Sequence, residues 1–146
     1  MQVRGRAIAL DVGTKTIGVA VSDALGITAN AVTTVKRQGV KKDCALLKRI
    51  AEDEEARHLI VGLPLELDGS EDRSARLARQ VGDHLGELLG LEPIYIDERY
   101  SSVEAERVLL EHDLSRSRRK EVIDQAAAVV ILRSWLDHGD WSGLNA

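Results

Sequence analysis

The chain has 146 residues, of which 44% are hydrophobic and 30% charged, with a formal net charge of −4 and one cysteine. This size and balance predict one soluble domain that buries a core, without the roughly 20-residue apolar run that spans a bilayer. They exclude a disulfide framework, a thiolate zinc site and a protein that coats nucleic acid through bulk positive charge. With no Phe, two Trp and two Tyr, a base-stacking platform is also excluded. The basic start, Met1 to Arg6, leads into a short apolar stretch broken by Asp11 and lacks a small-residue cleavage site, so a cytoplasmic location is expected.

Residues 6–12 and 16–22 are β-branched-rich runs joined by a Gly-containing turn, and Thr28 to Val35 makes a third, so the chain opens as a β-meander. Gly18, inside the second run, predicts close approach of another backbone. From Val40 the period changes: Val40, Cys44, Leu47 and Ala51 mark one face of a helix. His58 to Gly62 reads as a buried strand. Ser70 is the expected cap of a second helix, with a Leu77, Val81, Leu85, Leu88 stripe and Gly90 as its stop. Pro93 to Ile96 is the fifth strand. Ser101 and Glu104 form a capping-box signature for a third helix, Ser102 to about Glu111. A polar loop, Asp113 to Arg118, precedes a last helix running to about His138. The order β-β-β-α-β-α-β-α-α predicts an α/β fold: a five-stranded mixed sheet with helices on both faces. Residues 1–138 form the expected single domain and 139–146 a frayed tail.

Several acids interrupt apolar patterns. Asp11 ends the first strand, and Asp97 with Glu98 ends the last. Asp124 heads a helical stripe continued by Ala127 or Ala128, Ile131 and Trp135, with Glu121 one turn earlier as a further carboxylate. If the first and last strands are parallel neighbours, these acids converge. Three carboxylates within roughly 5 Å would repel by about 3 kcal/mol per pair at an effective dielectric of ~20. Such a cluster must hold a cation or a proton. His58, His84, His112 and His138 make no ligand pair, so oxygen donors alone point to Mg²⁺ or Mn²⁺. Taken singly, each acid also fits a blander role: Asp11 a turn, Asp97 or Glu98 a salt bridge to Arg99, Asp124 a helix-dipole partner.

Leu10 to Ala20 (LDVGTKTIGVA), Gly62 to Glu71 (GLPLELDGSE), Asp97 to Ser102 (DERYSS) and Lys120 to Ala127 (KEVIDQAA) resemble, in order, the four motifs of the YqgF/RuvX family. The resemblance implies a ribonuclease H-like fold related to the RuvC Holliday-junction resolvases. It implies that Asp11, Glu98 and Asp124 are catalytic metal-binding acids, with Glu98 chosen over Asp97. Glu121 falls where RuvC-type resolvases carry a further acid, at a position the family does not keep dependably. The implied chemistry is in-line hydrolysis of a phosphodiester assisted by two divalent ions, Mg²⁺ or Mn²⁺. Members of the family are described as nucleases acting at the 5′ end of the small-subunit ribosomal RNA precursor (pre-16S rRNA) and as candidate junction resolvases. The expected substrate is therefore RNA, structured or single-stranded, with DNA junctions as the alternative. A resolvase would further call for a homodimer, because its substrate is symmetric.

Local basic residues are expected to hold that substrate: Lys15 beside Asp11, Arg99 beside Glu98, and the run Arg116, Arg118, Arg119 and Lys120 ahead of Asp124. Two rivals stay open. The Asp-x-Gly-Thr hairpin resembles the phosphate loop of actin-like ATPases, although no second such hairpin exists here. A ribosome-assembly factor that keeps the fold without cutting is the other.

Overall fold

The computed structural model describes residues 5–100 and 116–138. Five strands, β1 (Arg6–Val12), β2 (Thr16–Ser22), β3 (Ala29–Lys36), β4 (Ala56–Leu63) and β5 (Pro93–Asp97), form one mixed sheet in the order β3-β2-β1-β4-β5. β1 to β3 are antiparallel, and β4 pairs in parallel with both β1 and β5. The sequence-based α/β expectation therefore holds.

The strand residues alternate between two cores. Ile8, Leu10, Val12, Ile17, Val19, Val21, Leu59, Val61 and Leu63 face α1 (Val40–Asp53) and α2 (Arg73–Leu89). The opposite face is made of smaller side chains, Ala7, Ala9 and Ala20, together with Ile60. It is covered by the last helix, α3 (Arg116–His138), through Ala127, Ala128, Ile131, Leu132, Trp135 and Leu136. Small residues on both partners let helix and sheet approach closely. Cys44 is a buried thiol whose Sγ donates to the Val81 carbonyl oxygen. Burial first, and then the neighbouring Asp43 charge, push its pKa up to about 11.

Several local expectations need correction. Ser70 does not cap α2, because both its N–H and its hydroxyl donate to Asp68 Oδ1, at 2.9 and 2.6 Å. Asp72 is the cap, accepting from Ser74 N and Ala75 N at 2.9 and 3.2 Å. The buried face of α2 is Ala75, Ala78, Val81, Gly82, Leu85 and Gly86, while Leu88 is exposed, since small residues fit the tight contact with β5. At Gly82 a methyl would collide with the Tyr95 ring. Gly90 does end α2, in the left-handed region at φ 69°. Residues 116–118, read as loop, form the first turn of α3. The helix expected over 102–111 lies outside the described residues.

Replacing Asp72 with Ala should lower the thermal midpoint by about 2–4 °C, the usual effect of losing a cap in a domain of this size. Ser70→Ala should change it far less. A thermal scan giving the reverse order would contradict the capping assignment.

Candidate active site

Strand parity decides which acids share a face. In β1, Asp11 follows Ala7 and Ala9, which face α3, so its side chain emerges on that face at the carboxyl end of the strand. In β5, Ile94 and Ile96 face α3, and Glu98 follows in the same phase. Asp97 follows Tyr95, which packs on the α2 side. The two neighbouring acids are thus sorted by the pleat. Glu98 is buried at 9% exposure, as is Asp11 at 6%. Asp97 instead receives two hydrogen bonds from Arg99 Nε, both 3.1 Å, and one of 2.7 Å from Nη2. Those bonds hold its carboxyl below the usual range.

Between β1 and β5 runs β4, so the two buried acids sit on strands roughly 10 Å apart. Leu10 pairs with Val61, and continuing that register brings Asp11 level with Gly62. Gly62 in turn pairs with Ile96. A methyl on Gly62 would stand 3.1 Å from Glu98 Oε1 and collide with Ile131 Cδ1. The missing side chain is what lets the longer Glu98 lean over β4 toward Asp11.

Asp124 reaches the same rim from α3. Gly18, which pairs with Asp11 across β1 and β2, has the Asp124 backbone carbonyl directly above it, where any Cβ would overlap it. The close approach expected at Gly18 is therefore the seat of α3. Thr16 Oγ1 donates to Asp124 Oδ2, and Gln125 Nε2 donates to Thr34 Oγ1 at 3.1 Å, fixing the start of the buried stripe over β2 and β3. Thr16 was not singled out from sequence. Its signal is parity, since Thr16, Gly18 and Ala20 alternate on one face.

The three acids come to one rim of one face, yet among the described residues no three Asp, Glu, His or Cys side chains stand close enough to enclose an ion. Glu121, Arg116, Arg118, Arg119 and Lys120 fall in the first two turns of α3, ahead of Asp124. Lys15 is exposed on the β1–β2 turn. That turn is clamped from below: Arg37 Nη1 donates to the Gly13 carbonyl at 2.9 Å, and its Nε to buried Asp43 at 2.7 Å. Asp43 also accepts from Gln38 N at 2.9 Å. Arg99, besides gripping Asp97, donates from Nη1 to the Leu67 carbonyl at 3.1 Å and so ties the β4–α2 loop to the end of β5.

As donors, Asp11, Glu98 and Asp124 are oxygen-only and two are buried, which fits a hard divalent cation and no softer metal.

Comparison with known proteins agrees with this architecture. Among solved structures, Thermus thermophilus RuvC superposes at a TM-score of 0.55 and 12% identity, over 90% of this chain and 95% of that one. RuvC in complex with a Holliday junction substrate gives the same TM-score at 14% identity, over 90% and 94% of the two chains. A "Putative pre-16S rRNA nuclease" from Myxococcus xanthus is 53% identical over 132 residues, 90% of this chain and 87% of the relative. One from Moorella thermoacetica is 47% identical over 139 residues, 95% and 99% of the two. A family model described as "RuvX: Holliday junction resolvase" matches residues 5–138. These relationships define the class, a nuclease of ribonuclease H-like fold. Within it the chain belongs to the RuvX family.

Gly18→Ala should destabilise the fold by on the order of 1–3 kcal/mol, because backbone rather than a flexible side chain must move. Urea unfolding reads this as a lower midpoint. An unchanged midpoint would mean that α3 is not seated on β2 as described.

Proposed function

We propose that the chain is a Mg²⁺- or Mn²⁺-dependent nuclease that hydrolyses RNA, with ribosomal RNA precursor as its substrate, using Asp11, Glu98 and Asp124. One observation carries this reading: two buried acids, one in β1 and one directly after β5, emerge on one face over Gly62, at the rim where Asp124 enters. The names of the relatives at 53% and 47% identity favour RNA. The description of the family model favours a DNA junction as the second reading.

Asp11 and Glu98 would hold the cation, with Asp124 completing the set by turning from Thr16. Bound there, a divalent ion supplies Lewis-acid activation and neutralises charge on the phosphoryl oxygens. The chain's own residues do the rest. Thr16 holds the Asp124 carboxylate at the rim through its hydroxyl, a bond that the cation would replace. The Arg37–Asp43 pair, 11% and 2% exposed, holds the turn that carries Lys15, so that an ammonium group stands ready for a substrate phosphate. Ile131 at Gly62 and the small-residue seat of α3 keep the floor of the site dry, which strengthens charge interactions there.

Purified protein should be incubated with single-stranded RNA from a ribosomal precursor, single-stranded DNA and a four-way junction, with Mg²⁺, Mn²⁺ or chelator. RNA cleavage should require the ion. Asp11→Asn and Glu98→Gln should each lower it by more than the roughly 10- to 100-fold typical of outer-shell partners of a metal. Cleavage that survives chelator, or survives in both variants, would overturn the mechanism. Cleavage of the junction alone would favour the second reading.

A further inference from the structure

The rim that carries the acids is electrically lopsided. On one side of Asp11 lies the antiparallel half of the sheet. Thr16 pairs with Lys36, and Arg37 N donates to the Lys15 carbonyl at 2.9 Å, so Lys15 and Lys36 occupy adjoining positions of the β2–β3 pair although 21 positions apart in sequence. Both are exposed, as is Lys42 in the first turns of α1. Lys36, Gln38 and Lys42 line the upper end of a groove of about 530 Å³ between β3 and α1, whose lower end is Val32, Leu46 and Ile50. Among the described residues the only carboxylate lining it is Asp43, already engaged by Arg37.

On the other side, the β4–α2 loop carries Glu66, Asp68, Glu71 and Asp72, beside Asp97 at the end of β5. Glu66, hydrogen bonded to Asp72 and next to its charge, is held above the usual carboxylate range, while hydrogen bonds hold Asp68, Glu71, Asp72 and Asp97 below it, so these four carry full negative charge. Of the cations on this side, Arg99 is bonded to Asp97 and to the loop backbone, Arg79 to Glu71, and Arg76 stands close enough to Glu71 to stabilise its charge, while Arg73 is exposed at the start of α2.

We propose that the RNA strand enters over the β2–β3 side, its phosphates lying on Lys15 and Lys36 at the rim and on Lys42 where the strand rounds edge strand β3 from the α1 face, and that the acidic β4–α2 loop keeps it from the opposite side. The proposal rests on the nuclease reading given above and adds the path and direction of approach. Lysine suits this role because it meets a phosphate as a compact point charge without demanding a fixed geometry, and a strand's backbone presents one phosphate per nucleotide. The polarity also reconciles a net charge of −4 with a polyanionic substrate: attraction is confined to the side from which the strand must come.

The test measures binding of a labelled single-stranded RNA by fluorescence anisotropy across a salt series, in the Asp11→Asn background so that nothing is cut. Lys36→Glu with Lys42→Glu should weaken binding more than about 10-fold, and Lys36→Ala with Lys42→Ala should lower the slope of log K against log salt by roughly 0.7 per lost contact. Lys48→Glu lies in a separate hollow with Glu52 and Glu55, and should leave binding within about twofold, the range of a charge remote from the strand. Asp68→Lys should tighten it. Circular dichroism of each variant guards against misfolding. Equal affinity of the Lys36/Lys42 and Lys48 variants would overturn the path while leaving the nuclease reading intact. Tighter binding of DNA of the same sequence would overturn RNA as the occupant. Failure of the parent to bind any strand would count against both.

Discussion

Everything at the candidate site depends on how closely α3 lies on the sheet. At Gly18 the helix backbone sits where a side chain would be, and Ala7, Ala9, Ala20, Ala127 and Ala128 keep the same contact thin along its length. Only that approach carries Asp124 to Thr16 and to the rim already occupied by Asp11. On the far side of β1, Gly62 of β4 has the same effect, giving Glu98 the space to lean across. Two glycines, each conspicuous inside an apolar strand, therefore bring acids from three separate elements to one rim.

The two faces divide the work. The α1–α2 face holds most of the large aliphatic side chains, Ile8, Leu10, Ile17, Leu47, Leu59 and Leu85 among them, and supplies ordinary burial energy. The α3 face gives up side-chain volume and accepts buried charge in order to build a site. Such an arrangement tolerates little neglect at its edges, and the clamps are visible. Arg37 and Asp43 hold the turn after Asp11, and Arg99 with Asp97 holds the loop after β4. A buried ion pair is weak evidence of net stability, but as a device that fixes one loop geometry it has a clear purpose here.

Much of the fold was legible because the strands alternate cleanly. Residues 6–12 and 16–22 are strands with the limits that the β-branched runs suggest, and Gly18 announced a close approach that is there. What was not legible had specific physical causes. Ser70 was bound by Asp68 and so could not cap, a competition between side chains two residues apart that capping preference ignores. On α2 the expected Val81 and Leu85 are buried and Leu77 packs against the core, but Leu88 is exposed, because the contact with Tyr95 and Pro93 is made by Gly82 and Gly86. The choice of Glu98 over Asp97 rests on family resemblance, and the phase of Ile94 and Ile96 sorts the two acids onto opposite faces. Thr16 and Asp43 act through partners 108 and 6 positions away, and Lys36 comes opposite Thr16, next to Lys15 in the chain, only through the register of an antiparallel pair. Such relations are set by the sheet and leave no local signature.

The central claim is that the rim above Gly62 and Gly18 is a metal centre shared by Asp11, Glu98 and Asp124. Anomalous diffraction from crystals of the protein soaked in Mn²⁺ tests it without any appeal to substrate or activity. The account predicts an ion coordinated by carboxylate oxygens of Asp11 and Glu98 at on the order of 2.1 Å, with Asp124 turned from Thr16 toward it. Anomalous signal confined to the acidic β4–α2 loop, or Asp11 and Glu98 left without a shared ion at saturating Mn²⁺, would contradict it.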